Sequence, residues 1–290
     1  MDGDTLSIEL SGDTLHVKGL DCHFKLHTQP ADDYPPVGAP KDAKLVATIA
    51  DPSLRQLIDR TDFAVAKEST RYAFNGVLVS PNGTRLLGVA TDGRRLAQAK
   101  ATAQLDKSNK NKAIVPSKAL AILGKLLEND AEQQVEVRVS ENAISFTAGD
   151  ATLTSNLVEG QFPPYEDVIP KDADRKATMG REDFLGALRR AALMASEESK
   201  GVRFAFSKKG IVMTSRNPSA GEATVNFACK YDGPDLEIGF NPQYVADALK
   251  AVEADEVTLE MTAPNRPSLL RAGEDFQYVV MPLQPLRQAP

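Results

Sequence analysis

A chain of 290 residues is long for one domain and comfortable for two, each able to bury a core. Its composition is ordinary, 42% hydrophobic and 26% charged. It lacks both an apolar run of membrane-spanning length and the charged and greasy regions of a signal peptide. The net charge of −6 argues against a simple nucleic-acid binder but does not say where the basic residues sit.

The two cysteines, Cys22 and Cys229, lie far apart in strand-like sequence, so a cytoplasmic protein without a disulfide framework is expected. No Cys/His spacing suits a metal, and no cofactor is expected; His16, His23 and His27 fall on strand-like alternation as plain strand positions.

Taken in order, residues 5–10 and 14–18 alternate polar and apolar (Leu6, Ile8, Leu10; Leu15, Val17), the period of half-buried strands joined by a turn at Gly12-Asp13. A third run, His23 to His27, precedes Tyr34-Pro35-Pro36-Val37. Asp51-Pro52 reads as a capping acid followed by a first-turn proline, and Leu54, Leu57, Ile58, Thr61 and Val65 then line one helical face. The stretch RYAFNGVLVSPNGTRLLGVATDGRRL, from Arg71 to Leu96, reads as strands and turns; AKATAQLDKSNKNK, from Ala99 to Lys112, reads as a flexible lysine-rich loop. A second helix follows Val115-Pro116, from Lys118 to Leu127. Alternating Val135, Val137 and Val139, then Ile144 with Phe146, then Leu153 with Leu157, lead to Phe162-Pro163-Pro164-Tyr165.

From there the chain repeats itself. A helix near Arg181 buries Phe184, Leu188, Ala191 and Ala195, and Arg203-Phe204-Ala205-Phe206 restates Arg71-Tyr72-Ala73-Phe74. Ala47-Thr48 matches Ala177-Thr178, and Arg60 matches Arg190, at a constant offset. Asn241-Pro242 opens another helix (Gln243 to Val252), followed by strands at Val257–Met261, Ser268–Leu270 and Phe276–Met281. One structural unit is thus built twice, over residues 41–172 and 173–290, while residues 1–40 resemble only a unit's closing strands, as if the chain began within a domain. An α+β class follows, each domain placing two helices on antiparallel sheets.

The basic residues of these helices lie off their apolar stripes: Arg55 and Arg60, Lys118 and Lys125, Arg189 and Arg190, and Lys250. Acids dominate elsewhere, as at Glu128, Asp130, Glu132, Glu197 and Glu198. This pattern fits either solvated helix faces or one positive surface offered to phosphates.

Six short motifs in order then identify a resemblance: Arg71-Tyr72 with Asn75-Gly76; Ala90-Thr91-Asp92-Gly93-Arg94-Arg95-Leu96-Ala97; Phe162-Pro163 with Tyr165 and Val168-Ile169-Pro170; Gly201-Val202-Arg203; Gly239-Phe240-Asn241 with Tyr244; and Tyr278-Val279-Val280-Met281-Pro282-Leu283. In these the chain resembles the bacterial sliding clamp, the beta subunit of DNA polymerase III, over its whole length but without most of that family's first domain. The resemblance implies a DNA clamp fold and a non-catalytic processivity factor, an accessory to the polymerase. It implies a head-to-tail homodimeric ring around duplex DNA, touching the phosphates without reading sequence through Arg55, Arg60, Tyr72, Lys118, Lys125, Arg189, Arg190 and Lys250.

It also implies a cleft between the middle and last domains that docks short motifs of polymerase, clamp loader and repair proteins. Carried over, Phe74, Thr91, Gly93, Arg94, Arg95 and Leu96 form one wall and Pro163 and Val168 the floor. Asn241, Tyr244, Val279, Met281, Pro282 and Leu283 close it. Two departures stand out: Arg94 where relatives often carry His, and a tail, Gln284 to Pro290, that could lie over the cleft. The alternative reading is a reduced relative that binds clamp partners without encircling DNA.

Overall fold

The computed structural model describes residues 5–33, 40, 42–67, 72–195 and 201–283. Arg71 and the tail 284–290 lie outside the described residues. The chain divides into two compact units, Met1–Gly38 and Ala39–Pro290.

In the first unit β1 (Ser7–Ser11), β2 (Thr14–Lys18) and β3 (His23–His27) form an antiparallel meander. The registers Ile8↔Val17, Leu10↔Leu15, Val17↔Phe24 and Leu15↔Leu26 bring these side chains to one face, as a period of two requires. The expectation of half-buried strands fails for β1, where Ile8 and Leu10 are each 64% exposed; in β3 Phe24 and Leu26 are exposed too. A three-stranded sheet has no second layer of its own to cover an apolar face. His16 and His23 stack across the other face, with Nδ1 and Nε2 2.9 Å apart.

The second unit opens with β4 (Lys44–Ala50), α1 (Asp51–Asp59), β5 (Gly76–Asn82), β6 (Arg85–Thr91) and β7 (Arg95–Thr102). It continues through β8 (Gln104–Leu105), β9 (Ala113–Pro116), α2 (Ser117–Leu126), β10 (Gln134–Val139), β11 (Ala143–Ala148) and β12 (Ala151–Asn156). The same order then runs again: β13 (Arg175–Gly180), α3 (Arg181–Ala192), β14 (Val202–Ser207), β15 (Gly210–Asn217), β16 (Gly221–Phe227) and β17 (Lys230–Asp232). It closes with β18 (Leu236–Phe240), α4 (Pro242–Lys250), β19 (Glu256–Met261), β20 (Ser268–Ala272) and β21 (Phe276–Val280). The lysine-rich stretch after Ala99 is more ordered than a flexible loop: it finishes β7 and supplies β8, and the Asn109 side chain is buried, donating to Lys44 O and Leu45 O.

These strands assemble into sheets of five (β12-β11-β10-β4-β8), nine (β17-β13-β19-β20-β21-β7-β6-β5-β9) and four (β16-β15-β14-β18). The nine-stranded sheet runs through both repeats because β21 pairs antiparallel with β7, from Phe276↔Ala99 to Val280↔Arg95. The α1 helix packs on both the five- and the nine-stranded sheets, and α3 bridges the nine- and four-stranded ones. Helices α1 and α2 also touch, as do α3 and α4.

This layering explains why β5 and β6 read as continuous apolar runs. Val77, Val79, Leu86, Ala90, Ala97, Tyr278 and Val280 point into the main core around the helices. Their sequence neighbours Leu78, Leu87, Val89, Leu96, Ile114, Leu269 and Val279 form a second cluster on the opposite face, under Phe162, Tyr165 and Ile169. Gly88 lets α1 approach the sheet, since a Cβ there would meet the Leu57 side chain at 3.2 Å.

Asp51 does not cap its own helix, contrary to the sequence reading: α1 has no side-chain cap. Its buried carboxylate instead accepts from the backbone N–H groups of Glu128 (2.9 Å) and Asn129 (3.1 Å), fixing the chain just after α2. Asn241 does cap α4, accepting from Gln243 N at 2.9 Å.

Candidate functional site

The site starts from the turn between β6 and β7. Thr91 Oγ1 donates to Arg95 O (2.7 Å) and accepts from Gly93 N (3.0 Å), while Asp92 Oδ1 accepts from Arg94 N (2.9 Å) and Arg95 N (3.0 Å). The turn's own side chains therefore satisfy its backbone, and Gly93, at φ +86°, takes the left-handed bend that a side chain would strain.

Beside this turn lies an apolar notch of about 150 Å³. Leu96 and Val279, paired across the β7–β21 junction, form its buried floor. Phe74, Thr91, Gly93, Arg94, Arg95, Pro163, Val168 and Met281 complete it, with Pro164 and Tyr165, which sequence reasoning missed as site residues. Their signal is the aromatic-Pro-Pro-aromatic run Phe162-Pro163-Pro164-Tyr165, which in sequence stands out as a mark of the repeat and as part of a family motif but not as a wall of the cleft. Met281 and Val168 are 40% and 46% exposed, an apolar rim open to solvent. Met281 is pinned by its backbone, donating to Arg94 O at 2.9 Å.

Four carried-over residues stand outside the notch. Asn241 is occupied in capping α4. Tyr244 turns its ring under the Arg95 guanidinium, 4.6 Å from its centroid. Pro282 and Leu283 run past it, Leu283 N donating to Gly239 O at 2.8 Å.

Arg95 reaches the notch with its stem, while its guanidinium points into the protein. It donates to Asp92 Oδ2 (3.0 Å), Asp247 Oδ2 (2.8 Å) and Phe63 O (2.7 Å), between the rings of Tyr244 and Phe63. Burial alone would lower its pKa; the hydrogen bond to Asp247, with the charge of Asp92, outweighs that and holds it above the ordinary arginine value. Tyr278, behind it, is a neutral phenol pushed far upward by burial, and its hydroxyl donates to Tyr244 O at 2.9 Å. The β6–β7 turn of the first repeat is thereby locked to α4 of the second. Asp247 was not singled out from sequence.

The opposite, helical side carries a cleft of about 810 Å³ lined by α1, α4 and the segment Leu127–Asn129 that follows α2. Arg55, Arg60 and Lys250 line it, but so do Asp59, Glu128, Asp247 and Glu253, so the cleft itself is not a purely positive surface. Arg55 is partly committed to structure: its Nη1 donates to Gly124 O (2.5 Å) and Leu127 O (3.3 Å) at the carboxyl end of α2. For Arg60, burial lowers the pKa and Glu253 opposes the shift. Lys118, Lys125, Arg189 and Arg190 are exposed outside that cleft, as is Tyr72 at 71%.

Residues 48–164 match the family model of the DNA polymerase III beta subunit central domain, and residues 166–284 that of its C-terminal domain. The beta sliding clamp of Pseudomonas aeruginosa is 36% identical over 282 residues, 96% of this chain and 76% of the relative. The chain belongs to the DNA polymerase III beta-subunit family. A crystal structure of that subunit from Pseudomonas aeruginosa superposes with TM-score 0.89 at 35% identity, covering 96% of this chain and 77% of the other. The Bacillus subtilis sliding clamp gives 0.88 at 28% identity, with 96% and 74% covered. The α+β architecture, with four helices on antiparallel sheets among the described residues, is the clamp fold, and processivity as a sliding clamp is the function of the family this chain joins. Among the described residues no helix is long and apolar enough to cross a membrane, and no group of His, Cys, Asp and Glu could hold a metal.

Proposed function

We propose that the chain acts in the cytoplasm as a replication processivity clamp. Its helical side faces duplex DNA, and the notch over Leu96 and Val279 docks partner peptides. Residues 41–172 and 173–290 serve as middle and last clamp domains, and residues 1–40 as the closing strands of another. The observation that carries the docking role is the notch's composition: an exposed Met281–Val168 rim over a buried apolar floor, beside a turn already rigid before any ligand arrives. Adaptable methionine and aliphatic surface suits leucine-type anchors, and Arg94, exposed on the rim, adds a donor and a charge for polar groups of the peptide.

DNA contact is non-specific and electrostatic, made by exposed Lys118, Lys125, Arg189, Arg190 and Lys250 with Arg60 and Tyr72, while Arg55 divides its role with α2. Polymerase, clamp loader and repair proteins are the partners, and a homodimer the assembly. The docking test uses isothermal calorimetry with a leucine-anchored peptide from a replicative polymerase tail. Met281→Ala with Val168→Ala weakens it at least tenfold while the melting curve stays in place; unchanged affinity removes the docking site. Native mass spectrometry tests assembly: a dimer agrees with a ring, and a monomer that still binds the peptide sinks the ring and leaves a partner-binding relative.

A further inference from the structure

The three-stranded meander of the first unit carries a side-chain cluster that neither the notch nor the helical side uses. On its polar face His16 of β2 stands between residues of both neighbouring strands, directly across from Glu9 of β1 on one side and Lys25 of β3 on the other. His23 stands across from Lys18, and His27 across from Thr14. Alternation puts all of these on one face, opposite Ile8, Leu10, Phe24 and Leu26. His16 and His23 are diagonal neighbours whose rings stack with centroids 5.1 Å apart, and His16 Nδ1 lies 2.9 Å from His23 Nε2. Among the described strand residues of this face, Lys18 and Lys25 meet a single carboxylate, Glu9, which is paired with Lys18 at 3.5 Å.

We propose that the His16–His23 pair is a proton-operated clasp on the β2–β3 pairing, closed while the pair carries at most one added proton and open when both rings are charged. A hydrogen bond between two imidazoles needs an N–H on one ring and a lone pair on the other. The neutral pair meets that condition, and so does the singly charged pair. The doubly charged pair sets N–H against N–H and one positive ring on another. Loss of water at the stacked ring, and then the charges of His16, Lys18 and Lys25, hold His23 below the ordinary imidazole value. A histidine lowered in this way contributes stability above its unfolded pKa, about 6.5, and loses it as the pH falls toward and through the folded value. The clasp matters because Ile8, Leu10, Phe24 and Leu26 are exposed, so little apolar burial holds these three strands together.

Amide hydrogen exchange on the full chain tests the clasp, followed from about pH 7.5 to about pH 5, above the range in which carboxylates take up protons. After correction for the intrinsic chemical rate, the amides of β2 and β3 are expected to lose about tenfold in protection relative to those of β7 and β21, the equivalent of one pKa unit. His23→Gln, which can donate and accept but cannot charge, keeps that protection flat across the range. Lys25→Gln removes a positive charge across from His16, eases the second protonation and moves the loss to higher pH. In the unmodified chain the ring-proton resonances of His16 and His23 follow two coupled steps, a reading that does not depend on how any variant folds. Protection in β2 and β3 that keeps pace with β7 and β21 overturns the clasp. So does a loss that persists in folded His23→Gln, an unmoved midpoint in Lys25→Gln, or two independent single-step titrations.

Discussion

Arg95 carries more of this molecule than its place in a wall of the notch suggests. Its side chain is 10% exposed and Asp247's 22%, so removing one partner leaves a largely buried charge without its complement. Arg95→Ala is expected to cost on the order of 3 kcal/mol in urea unfolding and to weaken peptide binding. Asp247→Asn, which keeps the acceptor oxygen, costs less; equal losses for both would deny the ion pair its role. Gly93→Ala meets Phe74 only at 3.7 Å, so its penalty is conformational rather than steric, roughly 1 kcal/mol, read as a small drop in melting temperature. The pairing of Met281→Ala with Leu96→Ala, natural from sequence, makes a poor docking probe. Leu96 is 3% exposed within a packed cluster, and its truncation costs roughly 2–5 kcal/mol of stability.

Among the elements, helical faces were the most legible. Leu54, Leu57 and Ile58 proved buried, as the 3.6-residue spacing required; Thr61 and Val65, read onto the same face, are buried too but lie beyond the end of α1 at Asp59. The destinations of polar side chains were not legible, because a hydrogen bond to a distant backbone leaves no periodic trace. Asp51 looked like a local cap and instead holds Glu128 and Asn129; Arg55 looked free and instead ties down α2. These commitments separate two outcomes on the helical side. Lys118→Ala with Lys125→Ala should lower DNA affinity and flatten its dependence on salt, by about 0.9 in the logarithmic slope for each phosphate no longer neutralised, without moving the urea midpoint. Arg55→Ala should move the midpoint as well, and an unmoved midpoint would refute its tie to α2.

For the whole molecule, the β7–β21 ladder joins the sheets of both repeats into one hydrogen-bonded body among the described residues of the second unit. Heating is expected to unfold that body in one transition, with near- and far-ultraviolet dichroism coinciding; separate transitions for residues 41–172 and 173–290 would show that the shared sheet does not couple them. The repeat, its helices and its strand order apart from β8 could be read from the chain alone, because alternating and helical periodicities are local consequences of which faces are buried. So could most of the notch, since Thr91 to Leu96 and Val279 to Met281 lie within short motifs. Pairing Leu96 with Val279, the Arg95–Asp247 lock and the mixed charge of the helix-lined cleft were decided only in three dimensions. Each joins residues far apart in sequence, and registry between distant strands follows from the packing of the whole sheet, which no local pattern encodes.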